Sequence, residues 1–144
     1  MRSILVDTGA IVGLLNPADR YHTVAVRFFA ALNRTDQLLT TWPVITECMF
    51  ALERNRNAFL DWVAQAELAI IDFGIDDLGR MRRWMDSYSD RRIDFADASL
   101  VWLATAKRTD RIATTDFNDF EAYRIPARTG KGKPFKLLIA RPSR

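Results

Sequence analysis

Six carboxylates stand where a chain could use them for chemistry. Asp7 closes the apolar run Ser3-Ile-Leu-Val, Asp116 closes Arg111-Ile-Ala-Thr-Thr, and Glu47 is wrapped at helical spacing by Val44, Ile45, Cys48, Met49 and Leu52. Asp94 and Asp97 are three residues apart, which puts both on one face of a helix's first turn. Asp119 follows Asp116 at the same interval. Taken singly, each has an ordinary structural explanation. An Asp between a strand and a helix is an N-cap, and acids near a helix N-terminus are favoured by the dipole. Glu47 can be a solvated helix acid, yet its apolar neighbours, like those of Asp97, place the carboxylate beside a buried face. An unpaired charge is costly there.

Converging carboxylates raise one another's pKa unless a cation neutralises them. Oxygen-only donors suit Mg²⁺ or Mn²⁺, and a single histidine (His22) and a single cysteine (Cys48) leave no imidazole or thiolate set to compete. Divalent ions held by acids activate water and stabilise the leaving oxygen of a phosphodiester. The charge distribution fits such a substrate. Residues 1–79 carry 6 basic against 10 acidic residues, a net of −4, whereas residues 80–144 carry 15 against 8, a net of +7. From Arg124 onward there are seven basic residues and no acid, a pattern for a polyanionic partner or a merely solvated tail.

The elements that must position these acids are legible in the apolar spacing. Strands are expected over residues 3–7, 37–41, 68–72 and 111–115, with a fifth, edge strand over 135–140. Helices are expected over 9–15, 22–32, 43–52, 57–65, 76–88, 94–107 and 116–120, and a loop over 129–134. Strands alternating with helices predict an α/β fold, with a mostly parallel central sheet of about five short strands flanked by helices. Residues 1–144 are expected to form one domain that includes the basic segment 124–144, since no repeat or linker divides them. Ligands of such sheets bind beyond the strands' carboxyl ends, where Asp7 and Asp116 fall. The lone cysteine excludes an intrachain disulfide, and no apolar run approaches the roughly 20 residues of a membrane span. An acid interrupts the first apolar run where a signal peptide would continue it, so a cytoplasmic protein with no membrane partner is expected.

At this point the ordered set Ile4-Leu-Val-Asp-Thr-Gly-Ala10, Thr46-Glu47, Asp94-Phe-Ala-Asp-Ala98 and Ala113-Thr-Thr-Asp-Phe-Asn-Asp-Phe120 resembles the PIN domain, and most of all the VapC-type ribonuclease toxins of toxin–antitoxin pairs. No single motif is specific, but the order and spacing extend over nearly the whole chain. The resemblance implies a Mg²⁺-dependent endoribonuclease, with Mn²⁺ as a substitute metal. It carries the catalytic, metal-ligating acids over to Asp7, Glu47, Asp97 and Asp116, with Asp7, Asp97 and Asp116 as the central metal set. Thr8 matches the hydroxyl residue beside the first acid, and Thr115 is implied in a supporting part. Asp94 and Asp119 fall at less uniform positions and are carried as supporting acids. The implied partners are an RNA substrate, a cognate antitoxin protein and a second copy of the chain.

Competing readings differ at identifiable residues. A haloacid-dehalogenase-like phosphatase also opens on an apolar strand and an Asp, but needs a second Asp where Gly9 stands. A receiver domain would need paired acids after the first strand, and Asp7 stands alone. A catalytically silent PIN-like module that binds RNA or a partner would lack an acid, and all four are present. Trp62, Trp84 and Trp102 read as core or dimer contacts, Cys48 as a small core residue and His22 as a surface residue. Trp42, just before Pro43, reads more plainly as packing than as a lip to the Glu47 site. Leu78, Met81, Trp84 and Met85 form an apolar stripe suited to a two-fold interface. Arg91 and Arg92, ahead of the acid-bearing helix, are candidate RNA contacts or an ordinary solvated pair. The donor chemistry makes one expectation measurable: after EDTA treatment, RNA cleavage should return with Mg²⁺ or Mn²⁺, and a zinc-selective chelator should leave it intact. Full activity in excess EDTA would contradict the metal reading.

Overall fold

Ile4, Leu5 and Val6 are β-favouring, apolar on consecutive positions and completely buried, as a strand covered on both faces requires. The computed structural model describes residues 1–143. In chain order the elements are β1 (Ser3–Val6), α1 (Thr8–Leu15), α2 (His22–Ala30), β2 (Gln37–Thr40), α3 (Trp42–Ala51), α4 (Arg56–Gln65), β3 (Leu68–Ile70), α5 (Leu78–Asp86), α6 (Phe95–Lys107), β4 (Arg111–Ala113), α7 (Phe117–Ala122), β5 (Arg124–Ile125), β6 (Lys133–Pro134) and β7 (Lys136–Leu137). The sheet order is β3-β2-β1-β4-β7 with every pair parallel, so the α/β expectation holds.

Register decides where the acids go. Leu5 lies opposite Leu39 on one side and Ile112 on the other, and Val6 lies opposite Ala113. Asp7 and Thr114 therefore leave the sheet side by side, with the Asp7 amide still bonded to the Ala113 carbonyl at 3.0 Å. Thr40 ends the neighbouring strand and donates its hydroxyl to the Val6 carbonyl at 2.8 Å. The helices then start at this edge. Asp7 caps α1 by accepting from the Thr8 amide at 2.8 Å, and Asp94 caps α6 by accepting from the Asp97 amide at 2.8 Å. Pro43 sits in the first turn of α3, where a missing N–H costs nothing.

α6 is buried from Ala96 to Val101 and again at Leu103 and Ala104, with small residues that let it lie close to the sheet. Its end needs no glycine, because Arg108 adopts the left-handed conformation at φ 51°. The stripe on α5 is not an open face. Met81 and Trp84 are buried within the chain, and the Trp84 indole packs on Tyr123 at 5.0 Å and Tyr88 at 4.9 Å, with its N–H donated to the Arg124 carbonyl. Leu78 alone of that stripe is exposed. His22 is half-buried, its Nδ1 2.7 Å from the Gly13 carbonyl, because α2 packs closely on α1. The expected loop 129–134 ends in β6, paired antiparallel with β5, where Pro134 needs no ladder donor. The expected helix 76–88 begins as a tight turn at Ile75–Asp77 and becomes α-helical only at Leu78.

One close approach ties the first helix to the fourth strand's end. A Cβ on Gly9 would sit 2.1 Å from Thr115 Oγ1 and 3.3 Å from Thr115 Cβ. Gly9→Ala should therefore destabilise the chain by about 1–3 kcal/mol. Thr115→Ala should recover most of that loss in a double-mutant cycle by chemical denaturation, and strict additivity would mean the contact is not the cause.

Candidate active site

Each acid arrives on a different element, and neutral donors hold the buried ones. Asp7 is 4% exposed; its Oδ1 accepts from the Thr8 amide and its Oδ2 from the Thr114 hydroxyl at 2.7 Å. The same Thr114 oxygen accepts from the Asp116 amide at 3.0 Å, so one hydroxyl fixes the acid of β1 and the backbone of the next acid. Asp97, on the first turn of α6, is 6% exposed and accepts the Tyr123 hydroxyl on Oδ2 at 2.7 Å. Tyr123 is fully enclosed by Trp84, Tyr88 and Phe120, so its hydroxyl has little freedom to aim elsewhere. Glu47, half-buried on α3, accepts the Thr8 hydroxyl at 2.7 Å, linking α3 to the start of α1.

Asp97, Asp116 and Asp119 bring one carboxylate oxygen each to within 4.8 Å of the others. Asp7 is near enough for its charge to act on this group, and Glu47 is near enough to act on Asp7. Burial first, then the Asp7 charge, pushes Asp97 up to about 9, against the hydrogen bond from Tyr123. Burial raises Asp7 to about 7 despite Thr114 and Thr8, with Glu47 and Asp116 adding repulsion. Asp116, exposed at the rim, reaches about 6 through partial desolvation and Asp119. Glu47 is raised by burial and by Asp94.

Among the described residues, no lysine or arginine forms an ion pair with Asp7, Glu47, Asp97 or Asp116. Arg91 binds Asp119 at 2.7 Å, at the rim of the cluster. Of the three converging carboxylates, Asp97 and Asp116 pair with no cation among the described residues, and oxygen donors that converge and repel in this way are a fitting set for a hard divalent ion. Cys48 offers no alternative nucleophile, since burial pushes its thiol up to about 12.

The PIN domain family model matches residues 4–126, a span that contains all six acids. The chain belongs to the PIN domain family. Solved structures agree on the fold. VapC20 of Mycobacterium tuberculosis, a toxin that cleaves the Sarcin-Ricin loop, superimposes with a TM-score of 0.70 at 21% identity, covering 80% of this chain and 91% of that one. VapBC2 of Rickettsia felis, solved with a DNA fragment from its promoter, gives 0.64 at 15% identity over 94% and 98%. FitAcB of Neisseria gonorrhoeae gives 0.55 at 18% identity over 81% and 90%. No curated protein matches the sequence.

Within this PIN domain the sequence-derived acids all gather at one end of the sheet, and Asp119 joins Asp97 and Asp116 directly. Asp94 is a cap on α6 that also repels Glu47. Thr115 faces Gly9, and the hydroxyl on Asp7 comes from Thr114. Thr114 and Tyr123 escaped the sequence reading. Thr114 was detectable as a polar residue immediately after a buried strand, whereas Tyr123 reaches Asp97 from 26 residues away and left no local signal.

The raised pKa values set a sign for stability. The folded chain retains protons that the unfolded chain, with ordinary Asp at 3.8, has already released. The stability these three acids contribute without metal is therefore fully present below that value and is lost as pH rises toward about 9. Thermal melts in EDTA should fall over this window, and Mg²⁺ should raise the melting temperature more at its alkaline end. Asp97→Asn keeps an acceptor for Tyr123 but removes the charge, so it should flatten both responses. A steeper fall in that variant would contradict the repulsion account.

Proposed function

We propose that the chain is a divalent-metal-dependent endoribonuclease working as the toxin of a toxin–antitoxin pair. The observation that carries this reading is the convergence of Asp97, Asp116 and Asp119, with buried Asp7 close enough to repel Asp97 and Asp116 and, among the described residues, no cation paired with the four principal acids. Asp7, Asp97 and Asp116 would hold Mg²⁺, or Mn²⁺ in its place, which when bound supplies a polarised phosphoryl oxygen and a more acidic water.

The chain's own residues do the positioning. Thr8 and Thr114 fix the Asp7 carboxylate, Tyr123 fixes that of Asp97, and the Asp94 cap fixes the backbone that carries Asp97. Glu47 is held in place by Thr8, and its raised pKa suits proton transfer with a water at the edge of the group. Asp119, braced by Arg91, closes the rim. The +7 charge of residues 80–144 supplies attraction for a phosphate backbone, and Arg92, exposed one residue beyond Arg91, is the freer of the two candidate contacts.

VapC20 is a toxin that cleaves the Sarcin-Ricin loop, which supports work on RNA for this chain; on the toxin reading it has an antitoxin partner and acts in the cytoplasm. No helix among the described residues is long and apolar enough to cross a membrane. Residues 1–144 are read as one nuclease domain, because β7 from the basic segment completes the sheet. Pairing of two copies has apolar surface to use in Phe50, Leu60 and Val26, all exposed.

Incubation with total RNA and Mg²⁺, followed by mapping of new 5′ ends, tests the activity. Asp7→Asn, Glu47→Gln, Asp97→Asn and Asp116→Asn should each lower cleavage by about 100-fold or more while the folded spectrum persists. No new ends from the wild-type chain would overturn the nuclease reading and leave a silent binding module.

A further inference from the structure

Two large aromatic rings stand beside the acids and belong to no core. Trp42, the first residue of α3, is 53% exposed, and Phe95, the first residue of α6, is 44% exposed. With Pro43, Thr46, Glu47 and Ala96 they line a cavity of about 430 Å³ that shares Glu47 with the acid cluster and abuts Asp97 through Ala96. The Phe95 ring is set from behind. Phe95 meets Phe73 edge-on at 5.5 Å, and Phe73 in turn packs on Trp102 at 5.7 Å. Trp42 is held at its backbone, where Pro43 follows it and its carbonyl accepts the Thr46 hydroxyl at 3.1 Å. Each ring thus presents apolar surface to solvent at the start of a helix that carries a site acid.

Resting on the reading of those acids as an RNA-cleaving centre, we infer that Trp42 and Phe95 form a stacking clamp for an unpaired nucleobase next to the scissile phosphate. Single-stranded RNA is recognised chiefly by bases splayed onto aromatic side chains, and stacking tolerates any base because every base has a π-face. Thr46 and Glu47 line the same cavity with oxygens that can accept hydrogen bonds, which suits a base edge rather than a phosphate. The phosphate is left to the adjoining acids and their metal. A protein segment is the competing occupant. The cavity's continuity with Glu47 favours RNA, since a strand held at the acids would lie next to it.

The test uses the full chain and end-labelled oligoadenylate, followed by fluorescence anisotropy in Ca²⁺, beside a sugar–phosphate strand of the same length without bases. Trp42→Ala and Phe95→Ala should each weaken oligoadenylate binding about tenfold or more, leave the baseless strand unchanged, and raise KM more than they lower kcat. Trp42→Phe should restore most of the binding. Equal losses on both strands, or no loss on either, would overturn the clamp; the latter would assign the rings to a protein contact. Wild-type chain that binds oligoadenylate through Trp42 but cuts no RNA in Mg²⁺ would leave the clamp standing and remove the nuclease reading. Wild-type chain that cuts RNA while both alanine variants bind like it would do the reverse.

Discussion

Two carboxylates that water barely reaches, Asp7 and Asp97, repel each other across the carboxyl edge of a parallel sheet, and among the described residues no side-chain cation is bonded to either. Most of the surrounding architecture answers to that constraint. Asp7 is stabilised by a backbone amide and a threonine hydroxyl, Asp97 by a tyrosine hydroxyl. Such neutral donors fix the geometry of an oxygen without cancelling its charge. The unmet charge is therefore the property that the fold preserves, and a hard cation is the chemistry that satisfies it.

The aromatic cluster behind Asp97 is part of the same arrangement. Trp84, Tyr88 and Phe120 each meet the Tyr123 ring edge to face with centroids between 5.0 and 5.6 Å, which leaves the Tyr123 hydroxyl pointing one way. The Trp84 indole is anchored in turn on the Arg124 carbonyl. Residues at the start of the basic segment thus brace an acid on α6, although nothing in that segment is itself an acid. Positioning and charge come from different stretches of the chain, and the sheet register is what brings them together.

The strands and helices were readable because the signals are local. Ser3-Ile-Leu-Val, the cap at Asp94 and the Ala-rich run after it each announce their own element within a few residues. The acids were readable too, since a carboxylate in apolar company is conspicuous wherever it falls. What the local signal could not carry was pairing. Tyr123 and Asp97, or Thr114 and Asp7 across 107 positions, meet only once the parallel order β3-β2-β1-β4-β7 is in place. The same limit applies to the stripe on α5. Leu78, Met81, Trp84 and Met85 show the correct period for a buried face, but the period does not say whose surface covers it. Met81 and Trp84 are covered within the chain, and Lys133–Pro134 paired where a loop was expected because its partner, Arg124–Ile125, is equally short and irregular.

The sheet also ends in a particular manner. β3 has three residues and β7 two, and each outer border is one where unpaired N–H and C=O groups would otherwise invite a foreign strand. Glu67 and Asp72 bracket the first border, while Lys136 lies in the second just after Pro134. Brevity and charge blunt both sides. A chain built this way resists adding itself to its own copies ribbon by ribbon, so its associations are steered away from the backbone and onto side-chain surfaces, where selectivity can be set residue by residue.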